Sequence, residues 1–227
     1  MAMKLISCRG LVFLAMVAGV VPAAMPHGAT IHHYRESGRP VIGELDEDGY
    51  LTEKSVWVTP WNWIASQGAF STSDPGWSWD STVEFSHSLS FRIVAPLRRW
   101  NGLAFVPSGR QVRITLGTNT LLTSSTSPTM GYATLVGAND HFHYRFNLVG
   151  VAQNDPTSVG VYRLDLEAIH LGGPSAVTFP RFALLFNRGA APAVVSAAVS
   201  ATQLRNPVQD SPLGAPGKPT LVGRRGL

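Results

Sequence analysis

Cysteine is almost missing from this 227-residue chain: Cys8 is the only one, and it falls inside an N-terminal segment that reads as an export signal. Lys4 and Arg9 precede an apolar run, Leu11 to Val21, broken only by Gly19, and small residues follow at Ala23, Ala24, Gly28 and Ala29. The run is too short to span a membrane. Residues 1–29 are therefore expected to be a signal peptide with its cleavage region, and the mature chain to be periplasmic or extracellular, with no membrane span. Cys8 precedes the apolar run instead of closing it, so it does not sit where a bacterial lipoprotein signal needs its cysteine. Once the signal is removed no thiol is left. Disulfides, thiolate metal sites and cysteine nucleophiles are excluded, and the fold must be held by burial alone.

A charge excess is missing too, once its position is considered. The formal net charge is +4, but Lys4 and Arg9 leave with the signal, and the last 26 residues carry Arg205, Lys218, Arg224 and Arg225 against Asp210. Without those six basic and one acidic residues the body holds 12 basic and 13 acidic side chains. Nucleic acid is therefore not an expected partner. No Gly-x-Ser-x-Gly elbow, His-Glu-x-x-His helix, phosphate loop or dinucleotide fingerprint occurs, and no catalysis is inferred.

A helical period never persists for three turns. Strand alternation does: Val83, Phe85, His87, Leu89, Phe91 and Ile93 alternate with polar residues, as do Val112, Ile114 and Leu116, and Tyr162, Leu164, Leu166 and Ala168. The run Phe182 to Phe186 is apolar throughout, as expected of a strand buried on both faces. Turns fall at Asn101-Gly102, Asn154-Asp155-Pro156 and Gly172-Gly173-Pro174. Ala190 to Ala201 has the composition of a short helix packing on an edge. This grammar predicts an all-β fold, a single antiparallel β-sandwich of about nine or ten strands, jelly-roll-like or Ig-like, over residues 30–201. Residues 202–227, rich in proline and glycine, read as a disordered tail.

The strongest chemical signal is the stretch Asp140 to Val149. In an extended chain Phe142, Tyr144, Phe146 and Leu148 form an apolar stripe, while His141, His143, Arg145 and Asn147 face the other way. Side chains at i and i+2 stand roughly 6 to 7 Å apart at Cα, close enough for two imidazoles to reach one metal ion. His32 or His33, or a carboxylate such as Asp140, completes a tetrahedral set suited to zinc, and the same nitrogen donors admit copper. The function expected first is thus an exported protein binding a divalent transition metal, with no reaction attached.

A second reading rests on tryptophan. Trp57, Trp61, Trp63, Trp77 and Trp79 crowd into residues 57–79, which are interrupted by Pro60, Gly68 and Asp74-Pro75-Gly76. On an exposed loop Trp61, Trp63, Trp77 and Trp79 would offer flat faces to a carbohydrate or a surface protein; in a folded core they would plug the end of the sandwich. Two weaker patterns resolve into ordinary structure. Asp46, Asp48 and Gly49 mimic part of a calcium loop, but Ser55 stands where the bidentate glutamate belongs. Asp165 and Glu167 share a strand face with Arg163, which reads as a solvated ion-pair face.

Several short segments together resemble a loose group of exported bacterial proteins, many with a C-terminal PEP-CTERM sorting signal, that includes a cyanobacterial family under zinc-dependent repression. They are Ile31-His32-His33, Asp74-Pro75-Gly76-Trp77, Phe91-Arg92-Ile93 with Pro96-Leu97 and Trp100-Asn101-Gly102, His141-Phe142-His143, Gly160 to Leu164, and Phe182 to Asn187. The Pro-Glu-Pro element of that group is not present. The resemblance implies an exported all-β protein with a connection to zinc.

Overall fold

The strand Gly160–Leu171 explains most of the architecture, because every residue from Val161 to His170 is buried. In this computed structural model it runs antiparallel to Phe182–Arg188 on one side. Its other side is shared by Arg98–Trp100, opposite Tyr162 and Arg163, and by His87–Ile93, opposite Leu166 to Leu171. The structure describes residues 29–36, 39–46, 50–79, 87–123, 129–130, 134–136, 141–171 and 176–203, with only the backbone at 35, 79, 87, 129–130 and 134–136. The export signal, Asp48 and Gly49, Asp140, and the tail beyond 203 lie outside the described residues.

Strands dominate, as expected, but in place of the expected single antiparallel sandwich of nine or ten strands the described residues form three sheets of five, nine and five strands. The nine-stranded sheet has the path Phe105–Pro107, Arg98–Trp100, Gly160–Leu171, Phe182–Arg188, Val56–Pro60, and its last pairing is parallel. One five-stranded sheet runs His141–Phe142, Gly76–Trp79, Thr30–Glu36, Arg39–Leu45, Leu51–Glu53, with a parallel pairing between its second and third members. The other runs Asn119–Leu122, Val112–Leu116, Arg145–Leu148, Ala69–Thr72, Asn62–Ile64. The count changed for a physical reason. Segments 56–64, 69–79 and 141–148 each leave one sheet and enter another midway, so a continuous apolar alternation serves two sheets.

The three sheets share one apolar cluster. Ile31, Ile42 and Trp77 come from the first five-stranded sheet, Val112, Phe146 and Leu148 from the other, and Phe91, Leu164, Phe182 and Phe186 from the nine-stranded one. The outer face of the central strand is covered differently. Val161 joins Val56, Leu185 and Ala198 in a second cluster, where the helix Pro192–Gln203 lies over the sheet face instead of an edge. Among the described residues no helix is long and apolar enough to cross a membrane.

Further along that outer face the expected solvated ion pairs are buried at their carboxylates. Asp165 accepts from Arg163 at 2.7 Å and pairs with Arg98, while Glu167 accepts from Arg92 Nε at 2.8 Å and Arg181 Nε at 2.5 Å. Both carboxylate side chains are less than one-tenth exposed. Burial pushes the Glu167 carboxyl up, but hydrogen bonds and charges from Arg181 and Arg92 outweigh it and hold the pKa below the usual range. The strand is central, so its polar face meets arginines from neighbouring strands before it meets water.

A candidate histidine metal site

The candidate site forms where two strand pairs turn together from one sheet into the next. Ala69–Thr72 pairs with Arg145–Leu148, placing Thr72 opposite Phe146, and Gly76–Trp79 pairs with His141–Phe142, placing Trp77 opposite Phe142. Five residue steps from Thr72 to Trp77 are matched by four from Phe146 to Phe142. The first segment therefore carries one extra residue between the ladders, a bulge that bends the strand and re-aims its side chains. Parity switches across it: Phe70 and then Trp77 face the core. On the partner segment Tyr144, Phe146 and Leu148 keep one parity throughout, leaving His141, His143, Arg145 and Asn147 on the outer side.

On that outer side the two imidazoles converge. His141 Nε2 lies 2.8 Å from His143 Nε2, and His143 Nδ1 lies 2.7 Å from the Ser73 carbonyl oxygen. A carbonyl only accepts, so Nδ1 of His143 carries the proton that it donates to Ser73. In the neutral ring this leaves the Nε2 lone pair aimed at His141, whose Nε2–H donates to it. Such an outer hydrogen bond fixes the tautomer and direction of a ligating imidazole. Asp74 Oδ1 lies 3.9 Å from His143 Nδ1.

Gly76 makes this approach possible. A Cβ there would stand 2.6 Å from His141 Cε1, 2.7 Å from His141 Nε2 and 2.9 Å from His143 Cε1. The two rings thus rest on a cradle that any side chain would fill. Two nitrogens bound to one tetrahedral zinc at about 2.0–2.1 Å are about 3.3 Å apart. Opening the pair by about half an ångström, with the His141 proton moved from Nε2 to Nδ1 so that both Nε2 lone pairs face a metal ion, gives that spacing; His141 is exposed, so its ring can take up the movement.

His32 and His33 part company, because neighbours on a strand face opposite ways. His32 is in register with Ser78, and so is His141, so the two histidines share a face across the intervening strand, about 10 Å apart at Cα. His33 points into the core. Its ring is fully buried, stacked on Trp77 at 5.2 Å with Phe179 edge-on at 5.3 Å, and Nδ1 donates to the Ser78 carbonyl at 3.1 Å. Burial lowers its pKa to about 4; the Ser78 bond opposes the shift and the neighbouring His32 adds slightly to it. Among the described residues no group of three or more His, Cys, Asp or Glu side chains stands ready to hold one ion.

The tryptophans of the second reading are mostly spent on packing. Trp61 lies flat on Phe186 with centroids 4.3 Å apart and donates Nε1–H to the Phe146 carbonyl at 3.1 Å, and Trp77 is wholly enclosed. Trp63 is half-buried and meets Phe70 edge-on at 5.2 Å; the Trp79 side chain lies outside the described residues. Pro60 and Pro75 mark places where strands change sheet, not exposed loop tips. Sequence reasoning passed over Ser73, Asp74 and Gly76 as site residues because Asp-Pro-Gly reads as a turn. The only hint was a glycine two residues before Ser78 on what proves to be the histidine face. No family model matches the chain, and no curated protein matches it.

Proposed function

We propose that this chain is an exported protein that binds a divalent transition metal, zinc foremost, through Nε2 of His141 and His143. The observation that carries this reading is the 2.8 Å convergence of the two Nε2 atoms, with His143 oriented from behind by the Ser73 carbonyl. Imidazole nitrogens suit zinc and also copper. The resemblance of the sequence to exported, zinc-repressed proteins points the same way, and the basic and apolar start of the chain supports a place of work outside the cytoplasm. His32, on the same face, is a neighbour of the pair and not part of its converging set. Carbohydrate or protein capture by tryptophan has less support, since Trp61 and Trp77 give their faces to the core.

The test is calorimetric titration of the purified chain with zinc and with copper beside a His141→Ala/His143→Ala variant. Saturable binding that disappears in a variant of unchanged melting temperature is the expected result; equal binding by both proteins, or none by either, overturns the proposal. Binding should also weaken on acidification, because protons and metal compete for the same lone pairs.

Gly76→Ala gives an independent check in which both histidines are kept. Its methyl group displaces two outward-facing rings and leaves the core alone, so the stability change should stay within about 1 kcal/mol. Zinc affinity should nevertheless fall at least about tenfold, about 1.4 kcal/mol of binding free energy.

A further inference from the structure

We infer that one zinc ion joins two copies of this chain, each copy contributing His141 and His143. The inference rests on the proposed metal binding and adds the partner: a second copy of the same chain. Four observations lead to it. His141–Phe142 is the terminal strand of its sheet among the described residues, paired with Gly76–Trp79 on one side. The converging ring tips lean from it over Gly76 of the neighbouring strand, on the outer face of the sheet. His141 itself is exposed.

The pair supplies two nitrogen donors from one rigid cradle, and a structural zinc site takes four. A two-fold axis through the ion brings in an identical pair and completes a tetrahedral set with self-complementary contacts, the simplest closed symmetry available to a chain. Charge is consistent with the same arrangement. Four neutral imidazoles leave the ion's two positive charges uncompensated, and each copy brings one Asp74 carboxylate, 42% exposed and 3.9 Å from His143 Nδ1. Two such carboxylates just outside the nitrogen shell match the charge of the ion. In this arrangement the shared ion holds the two copies together. Removal of the metal then returns the protein to monomers.

The experiment is sedimentation velocity on the purified chain at stepwise zinc additions from zero to two equivalents, followed by excess EDTA, with bound zinc counted in parallel. The expected mass doubles, saturates at about half a zinc per chain, and halves again with EDTA. His141→Ala/His143→Ala and Gly76→Ala, the second of which keeps every histidine, should remain monomeric under the same zinc. A monomer that holds a full equivalent of zinc overturns the paired site while leaving metal binding intact. Failure to bind zinc at all removes both readings. A dimer that forms without zinc, or that persists in both variants, likewise overturns the assignment.

Discussion

Replacing Trp77 with alanine should destabilise the protein by about 4 kcal/mol, near the middle of the range for deleting a buried indole. The residue has no solvent exposure, and its ring is contacted from every side. His33 stacks at 5.2 Å, Tyr144 meets it edge-on at 4.9 Å, and Phe182, Phe91 and Phe142 close the cage at 5.6, 6.1 and 6.4 Å. Those rings come from one five-stranded sheet, from the nine-stranded sheet and from the link at Tyr144, so no single element can move in to fill the space. Aromatic rings held by four different strands collapse poorly, and the vacated volume stays as a cavity. Urea denaturation should show a much lower midpoint with an unchanged slope. A loss under about 1 kcal/mol would mean that the indole is not the hinge of the core.

Acidification should remove about 3 kcal/mol between pH 6.5 and pH 4 through one residue, His33. Its folded pKa is about 4 against a reference value of 6.5, because burial disfavours the imidazolium. Above pH 6.5 the ring is neutral in both states and contributes no slope. Between the two values the unfolded chain takes up a proton that the folded chain refuses, so stability falls as pH falls, by about 1.4 kcal/mol per unit at most. Glu167 acts in a separate window. Its folded pKa lies below the reference value of 4.5, so its contribution is intact above 4.5 and is lost only under stronger acid. Thermal melts from pH 7 to 4.5 should thus show a steep decline in the natural chain and a flattened one in His33→Leu. An equally steep decline in the variant would assign the slope to other groups.

Much of this was readable from residues alone, and the parts that were not share one cause. The parity of Tyr144, Phe146 and Leu148 located a core stripe correctly, and the unbroken apolar run at 182–186 announced burial on both faces. That 141–142 and 145–148 belong to different sheets could not be read, because the division is imposed by a partner segment some 70 residues earlier. The extra residue between Thr72 and Trp77 has no local signature beyond Asp-Pro-Gly. For the same reason Trp61 and Trp77 resembled loop residues: proline and glycine mark a bend in the chain without revealing whether it lies at the surface or between sheets. His32 and His33 were indistinguishable in sequence, since alternation assigns one to each face but only the neighbouring strands decide which face is core. Asp165 and Glu167 carried the pattern of a wet surface, and it took arginines from three other segments to enclose them.

The parallel pairing of Val56–Pro60 with Phe182–Arg188 also sets an order of events during synthesis. Trp57 meets Phe182 edge-on at 5.7 Å, and Trp61 lies on Phe186. Both tryptophans therefore leave the ribosome long before the strand that covers them. At elongation rates of about 5–20 residues per second the interval is on the order of ten seconds. During that time the first third of the chain has an unsealed aromatic surface and an open strand. A product terminated before Phe182 would keep both permanently, which makes truncated chains natural substrates for proteases and nuclei for aggregation.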